Sequence, residues 1–185
     1  MTADARPSRS HAPGPGQHVN RPALDPIAEA RRQWELRHDA ALPMEVVVRL
    51  FRAQQLALGH MNELLAPFGL TFARYEVLKL LAFSRTGRLP MGKMGERLMV
   101  HPTSVTSAVN RLEAQGLVER VPGDHDRRTT LAVLTEAGRE LVDRATDALV
   151  ADGFGMSDLS DEGMRELAGG LERLCEELEG ASTGS

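Results

Sequence analysis

Apolar residues recur at spacings of three and four along most of the chain, the period of one buried helix face, and change to strand-like runs in one short region. Asp25-Pro26 reads as an N-cap followed by proline in the first turn and opens a short helix, residues 25–39, with Ile27, Ala30 and Trp34 on one side. Pro43 opens a longer helix, 43–66, whose Val47, Leu50, Phe51, Gln54, Leu58, Met61, Leu64 and Leu65 form one stripe until Pro67 and Gly69 stop it. Thr71 caps a third helix with Tyr75, Leu78, Leu81 and Ala82 inward, and residues 86–90 read as a turn. A short helix from Met91 to Leu98, burying Met94 and Leu98, then runs through Met99-Val100-His101 into a helix from Pro102 to about Gln115. Its inward stripe is Val105, Ala108, Val109 and Leu112, and Gly116 ends it.

Two half-polar helices joined by so few residues make a helix-turn-helix pattern. Residues 117–121 and 129–134 are rich in β-branched and apolar side chains and flank the turn cluster Pro122-Gly123-Asp124, which predicts a hairpin wing. Thr135 caps a helix through Leu141, Val142, Ala145 and Leu149, broken at Gly153 and Gly155. Ser160 opens the last helix, in which Met164, Leu167, Leu171, Leu174 and Leu178 form a heptad-like seam. In a chain this short, such a seam is most simply buried against a second copy. The expected fold is mainly α with a small β wing: a winged helix-turn-helix, residues 71–135, with dimerisation helices 43–66 and 136–179 in one domain spanning 23–180. Residues 1–22, rich in Pro and Gly, read as a disordered tail.

Composition, 42% hydrophobic and 26% charged, is that of an ordinary soluble domain. No run of ~18 apolar residues occurs, the start MTADARPSRS lacks a signal pattern, and a cytoplasmic location is expected. A single cysteine, Cys175, excludes an internal disulfide framework and cysteine-based zinc fingers and reads as a small buried thiol. The histidines lack HxxxH or HExxH spacing, and GxSxG, GxxxxGK[ST] and GxGxxG are absent, so neither metal, cofactor nor enzymatic activity is expected. The net charge of −4 argues at first against a nucleic-acid partner. Its distribution reverses that inference. Residues 136–185 hold 4 basic and 13 acidic side chains, whereas residues 85–135 hold 8 basic and 5 acidic ones.

Removing the core stripe from the second helix of the pair leaves Thr103, Ser104, Thr106, Ser107, Asn110 and Arg111 outward. Small hydroxyl side chains let a helix enter the major groove; Asn can pair with adenine and Arg with guanine. Arg127 and Arg128 in the wing are placed to reach a minor groove, and Lys93, Arg97 and Arg120 are candidate phosphate contacts. His101 is placed to cap the second helix. The alternative is a winged-helix module that binds protein without binding DNA, but such a face should carry aromatic or aliphatic anchors, and this one has none.

The stretch Leu89 to Gly138, with HPTSV at the second helix, RLEAQGLVER into the first wing strand, Asp126 and Arg128 as Asp-x-Arg, and Leu134, Thr135 and Gly138 as Leu-Thr-x-x-Gly, resembles the MarR family of bacterial transcription regulators. The resemblance implies a homodimer whose winged domains bind half-sites of a pseudo-palindromic double-stranded operator, usually as a repressor, with Arg128 inserted and Asp126 orienting it. It also implies an effector, a small aromatic or anionic molecule. The extra helix 25–39 is similar to one in the urate-responsive branch, which places Trp34, Glu76 and Arg111 at ligand positions. His60 on the long helix could face the same pocket, and Trp34 could equally be a packing anchor. That branch has Asp where Glu76 stands and Arg where Phe83 stands, which speaks against urate itself.

Overall fold

A computed structural model describes residues 25–123 and 126–183; the tail expected over residues 1–22 lies outside them, as does Asp124 of the expected turn. The chain divides into two compact units, residues 1–52 and 53–185.

In the first unit, α1 (Pro26–Glu35) begins as its sequence dictates, with Asp25 Oδ1 accepting a hydrogen bond from the Ile27 amide at 3.0 Å. It is shorter than the expected helix 25–39. Helix α2 (Ala41–Leu65) starts two residues before Pro43, which then sits in the first turn, where its missing N–H is not required. Charge joins α1 to the start of α2. Glu45, with only 12% of its side chain exposed, accepts from Arg31 Nη1 and from Arg49 Nε, both at 2.8 Å, and Arg49 Nη2 donates to Asp25 Oδ2 at 3.0 Å. The Arg49 guanidinium holds the carboxyls of both Glu45 and Asp25 below their ordinary range.

The second unit contains the core. Helix α3 (Phe72–Phe83) buries Tyr75, Val77, Leu78 and Leu81, and α4 (Met91–Leu98) buries Met94. Helix α5 (Pro102–Ala114) buries the expected Val105, Ala108, Val109 and Leu112. Strands β2 (Val118–Pro122) and β3 (Thr130–Leu134) form the hairpin. Helix α6 (Glu136–Asp152) adds Val142, Ala145 and Leu149 to the same core, and α7 (Asp161–Thr183) follows. One expectation is corrected: part of the turn at residues 86–90 is a strand, β1 (Arg88–Pro90), antiparallel to β3 with Leu89 opposite Ala132. The sheet order is β1-β3-β2. A strand of three residues is too short to show alternation, and its partner lies more than forty residues away in the sequence.

Capping also differs from expectation at α3. Thr71 occupies the cap position, but its hydroxyl accepts from Arg74 Nε (3.2 Å), and the Phe72 amide donates instead to Asn62 Oδ1 on α2 (2.8 Å). The connection between α4 and α5 passes through Met99 in the left-handed region (φ 52°), a conformation that costs a side-chain-bearing residue free energy. Cys175 is exposed, not buried as expected. Among the described residues, no helix is long and apolar enough to cross a membrane.

Candidate nucleic-acid interface

The second helix of the helix-turn-helix is built by local chemistry. His101 caps it, with Nδ1 accepting from the Thr103 amide at 3.3 Å, and Pro102 occupies the first turn. With Val105, Ala108, Val109 and Leu112 buried, Thr103, Ser104, Thr106, Ser107, Asn110 and Arg111 are all exposed on α5, as the periodicity required. Thr106 Oγ1 donates to the Pro102 carbonyl (3.0 Å), so its remaining capacity is as an acceptor. Thr103, Ser104, Ser107 and Arg111 line a cleft of about 420 Å³ together with Thr71 and Arg74 of the neighbouring helix. Arg74 is a cationic partner that sequence reasoning missed. It lies outside the helix-turn-helix, and only the packing of α3 beside α5 reveals it.

In the wing, the Gly123 amide donates to the Thr129 carbonyl (2.7 Å), closing the loop. Asp126 Oδ1 accepts from the Arg128 amide at 2.9 Å and lies 3.6 Å from Arg128 Nε. This is an Asx-type turn: the carboxylate fixes the backbone and biases the guanidinium, while the Arg128 side chain stays 96% exposed. Arg127 is exposed beside it. Arg128, Thr129 and Thr130 share a second groove, of about 550 Å³, with Lys93 at the start of α4. Lys93 and Arg97 are exposed, whereas Arg120, the third candidate phosphate contact, has partners within the protein. Its side chain is 26% exposed, and its guanidinium donates to Glu113 Oε2 (3.0 Å) and to Asn110 Oδ1.

The four residues expected to meet an effector are distributed differently from one another. Trp34 belongs to the first unit; it is 39% exposed, stacks obliquely on His38 at 4.7 Å and donates from Nε1 to the Asp39 carbonyl (3.2 Å). His60 lines an apolar groove of about 260 Å³ with Ala53, Leu56, Ala57, Phe154 and Met156. Its Nε2 is 2.7 Å from Asp152 Oδ2, an oxygen that also accepts from the Gly155 amide at 2.7 Å. The His60 bond draws the Asp152 carboxyl below its ordinary range. Arg111 lines the separate α5 cleft, and Glu76 lines neither cavity.

Glu76 is half-buried on α3 without a hydrogen bond or ion pair among the described residues, and burial raises its carboxyl above the usual range. A raised folded-state value means that stability is fully present below the unfolded value and is lost as pH rises through the folded one. Glu76→Gln should therefore raise the melting temperature at pH 7 by on the order of 1–3 °C and change little at pH 4. Thermal scans at the two pH values check this, and an equal shift at both would refute it.

Residues 68–129 match the model of the MarR family. The chain is 45% identical to Sco5413, a MarR family transcriptional regulator from Streptomyces coelicolor; the likeness covers 76% of this chain and 97% of that one, with a TM-score of 0.70. It is 26% identical to Sco3205, a MarR family regulator from the same organism solved in complex with DNA, covering 75% of this chain and 92% of that one with a TM-score of 0.68. It is also 35% identical over 115 residues to the organic hydroperoxide resistance transcriptional regulator of Bacillus subtilis (strain 168), covering 62% of this chain and 76% of that protein. The mainly helical fold with its three-stranded wing sheet agrees with these relatives, which are regulators and not enzymes. A winged helix-turn-helix of this sequence and geometry, shared over almost the whole length of a solved relative, makes the chain a member of the MarR family of DNA-binding transcriptional regulators.

Proposed function

We propose that this protein is a repressor that binds a pseudo-palindromic operator as a homodimer, with α5 in the major groove and Arg127 and Arg128 in the flanking minor groove. The observation that carries the reading is the division of α5. Every apolar side chain that faces the core is buried, while Thr103, Ser104, Thr106, Ser107, Asn110 and Arg111 form an exposed surface with no apolar anchor. A wing arginine held by Asp126 stands beside this headpiece.

Dimerisation is supported by what the single chain leaves uncovered. Val47, Phe51 and Leu58 of α2 are exposed, and so are Met164, Leu167, Leu171 and Leu178 of α7. Through residue 181, α7 has no fully buried residue, and a helix that buries no face has little to stabilise it in water. A second copy supplies that face. Two headpieces related by a two-fold axis would meet half-sites about one helical turn apart, roughly 34–36 Å.

Footprinting on the chain's own promoter region tests the reading: two protected half-sites of related sequence are expected. Leu171→Glu should give a monomer by light scattering and lose the paired footprint. A dimer that persists in this variant would exclude the α7 seam, and protection of a single site would exclude the two-fold arrangement. The His60 groove is the place in this chain for a small aromatic or anionic effector, because it combines apolar walls with a half-exposed imidazole beside Asp152. Release of the operator by such a compound, lost in His60→Ala, is the expected behaviour.

A further inference from the structure

Asn110 and Arg120 carry an inference about which base the protein reads. It rests on the placement of α5 in the major groove proposed above. Arg120 projects from β2 to α5 and is held there at two points: Nη1 donates to Glu113 Oε2 at 3.0 Å, and Nη2 donates to Asn110 Oδ1. Because Glu113 fixes the guanidinium independently, Arg120 is in place whether or not Asn110 is engaged. A guanidinium has five donors and no acceptor, so the end of the Asn110 amide that faces it must be the oxygen. Turning the amide over would set an NH₂ group against N–H donors and forfeit the hydrogen bond.

The usual reading of an exposed asparagine on such a helix is adenine. That contact needs both ends of the amide on the base, with oxygen accepting from N6 and nitrogen donating to N7. Here Arg120 takes one of the two lone pairs of the oxygen and its guanidinium stands against that end of the amide, so the end left open to DNA is the Nδ2 amino group with its two donors. Guanine presents two acceptors, N7 and O6, in the major groove; adenine presents one acceptor and one donor. We infer that Asn110 is a specificity-determining residue that selects guanine, with Arg120 as the positioning residue that fixes its polarity.

The test uses the full chain and a pool of randomised duplexes. After selection, the base pair read by Asn110 is the one whose preference Asn110→Ala erases. At that pair the wild type should prefer guanine, and exchange of G·C for A·T should weaken binding roughly tenfold. Arg120→Met should flatten the preference there to within about twofold, leave the other positions unchanged and leave the salt dependence of binding unchanged. Asn110→Asp keeps an oxygen for Arg120 and replaces the outward amino group by an acceptor. Its preference should move from guanine to a base that offers a donor, such as cytosine through N4. This second variant decides the matter even if Arg120→Met folds poorly. Adenine preferred by the wild type at the Asn110-dependent pair would overturn the inference. So would an Arg120→Met variant that weakens all duplexes alike with a shallower salt slope, since that is the mark of a phosphate contact. If no sequence is selected, the placement of α5 fails and the inference fails with it. A selected sequence with no guanine preference defeats the inference alone.

Discussion

Gly138→Ala is expected to lower stability by about 3 kcal/mol or more, against the direction that helix propensity predicts. Gly138 lies in the first turn of α6, where alanine would ordinarily gain about 1 kcal/mol over glycine. A β-carbon there would stand 2.2 Å from the Leu117 carbonyl oxygen and 2.8 Å from Leu134 Cδ1. The first of these is backbone and cannot rotate away. Nor can α6 back off freely. Thr135 donates from its amide to the Leu117 carbonyl (3.2 Å) and from Oγ1 to the Gly116 carbonyl (2.8 Å), while Oγ1 accepts from the Gly138 amide (3.0 Å). Separating the surfaces would break the bonds that join α6 to the turn between α5 and β2. Urea denaturation measures the change, and a midpoint equal to or above that of the wild type would refute the packing described. The Leu-Thr-x-x-Gly motif is thus a structural joint: the threonine caps the helix, and the glycine admits a carbonyl.

Arg128→Ala should do the opposite, weakening operator binding by roughly 10- to 100-fold while changing stability by less than about 0.5 kcal/mol. With 96% of its side chain exposed, Arg128 contributes almost nothing to packing. Its ion pair with Asp126, long at 3.6 Å and open to solvent, adds little to the fold. What the residue offers is an exposed cation on the wing, suited to the concentrated negative potential of a narrow minor groove. Asp126→Ala should show a smaller loss, because the turn and the Arg128 amide lose their acceptor while the guanidinium remains. Gel-shift titrations at fixed salt, with thermal melts of the same samples, distinguish binding from folding. Unchanged affinity in Arg128→Ala would remove the wing from the interface.

Much of the headpiece was legible because its determinants are local. The stripe of Val105, Ala108, Val109 and Leu112 has helical period, and His101 caps the residue two positions on. Thr135 likewise bonds to Gly138, three residues away. The hairpin was legible in its β-branched strands, though β3 begins at Thr130 and not at Thr129. What failed to show was non-local. Strand β1 exists only through its pairing with β3. The cap of α3 comes from Asn62, ten residues earlier in the chain. Arg74 becomes part of the α5 cleft only when α3 packs beside α5.

Which faces turn inward and which polar groups remain on α5 and the wing follow from the order of residues alone, because period, caps and turn residues act over a few positions. How those polar groups are engaged depends instead on the packing of distant elements. Arg120, read as a candidate phosphate contact, is bound to Glu113 and Asn110; Glu76, read as a ligand position, is half-buried on α3 without a hydrogen bond or ion pair among the described residues. The physical reason is common to both. A side chain's hydrogen-bonding capacity follows from its chemistry, but which donors and acceptors meet depends on elements brought together by the core.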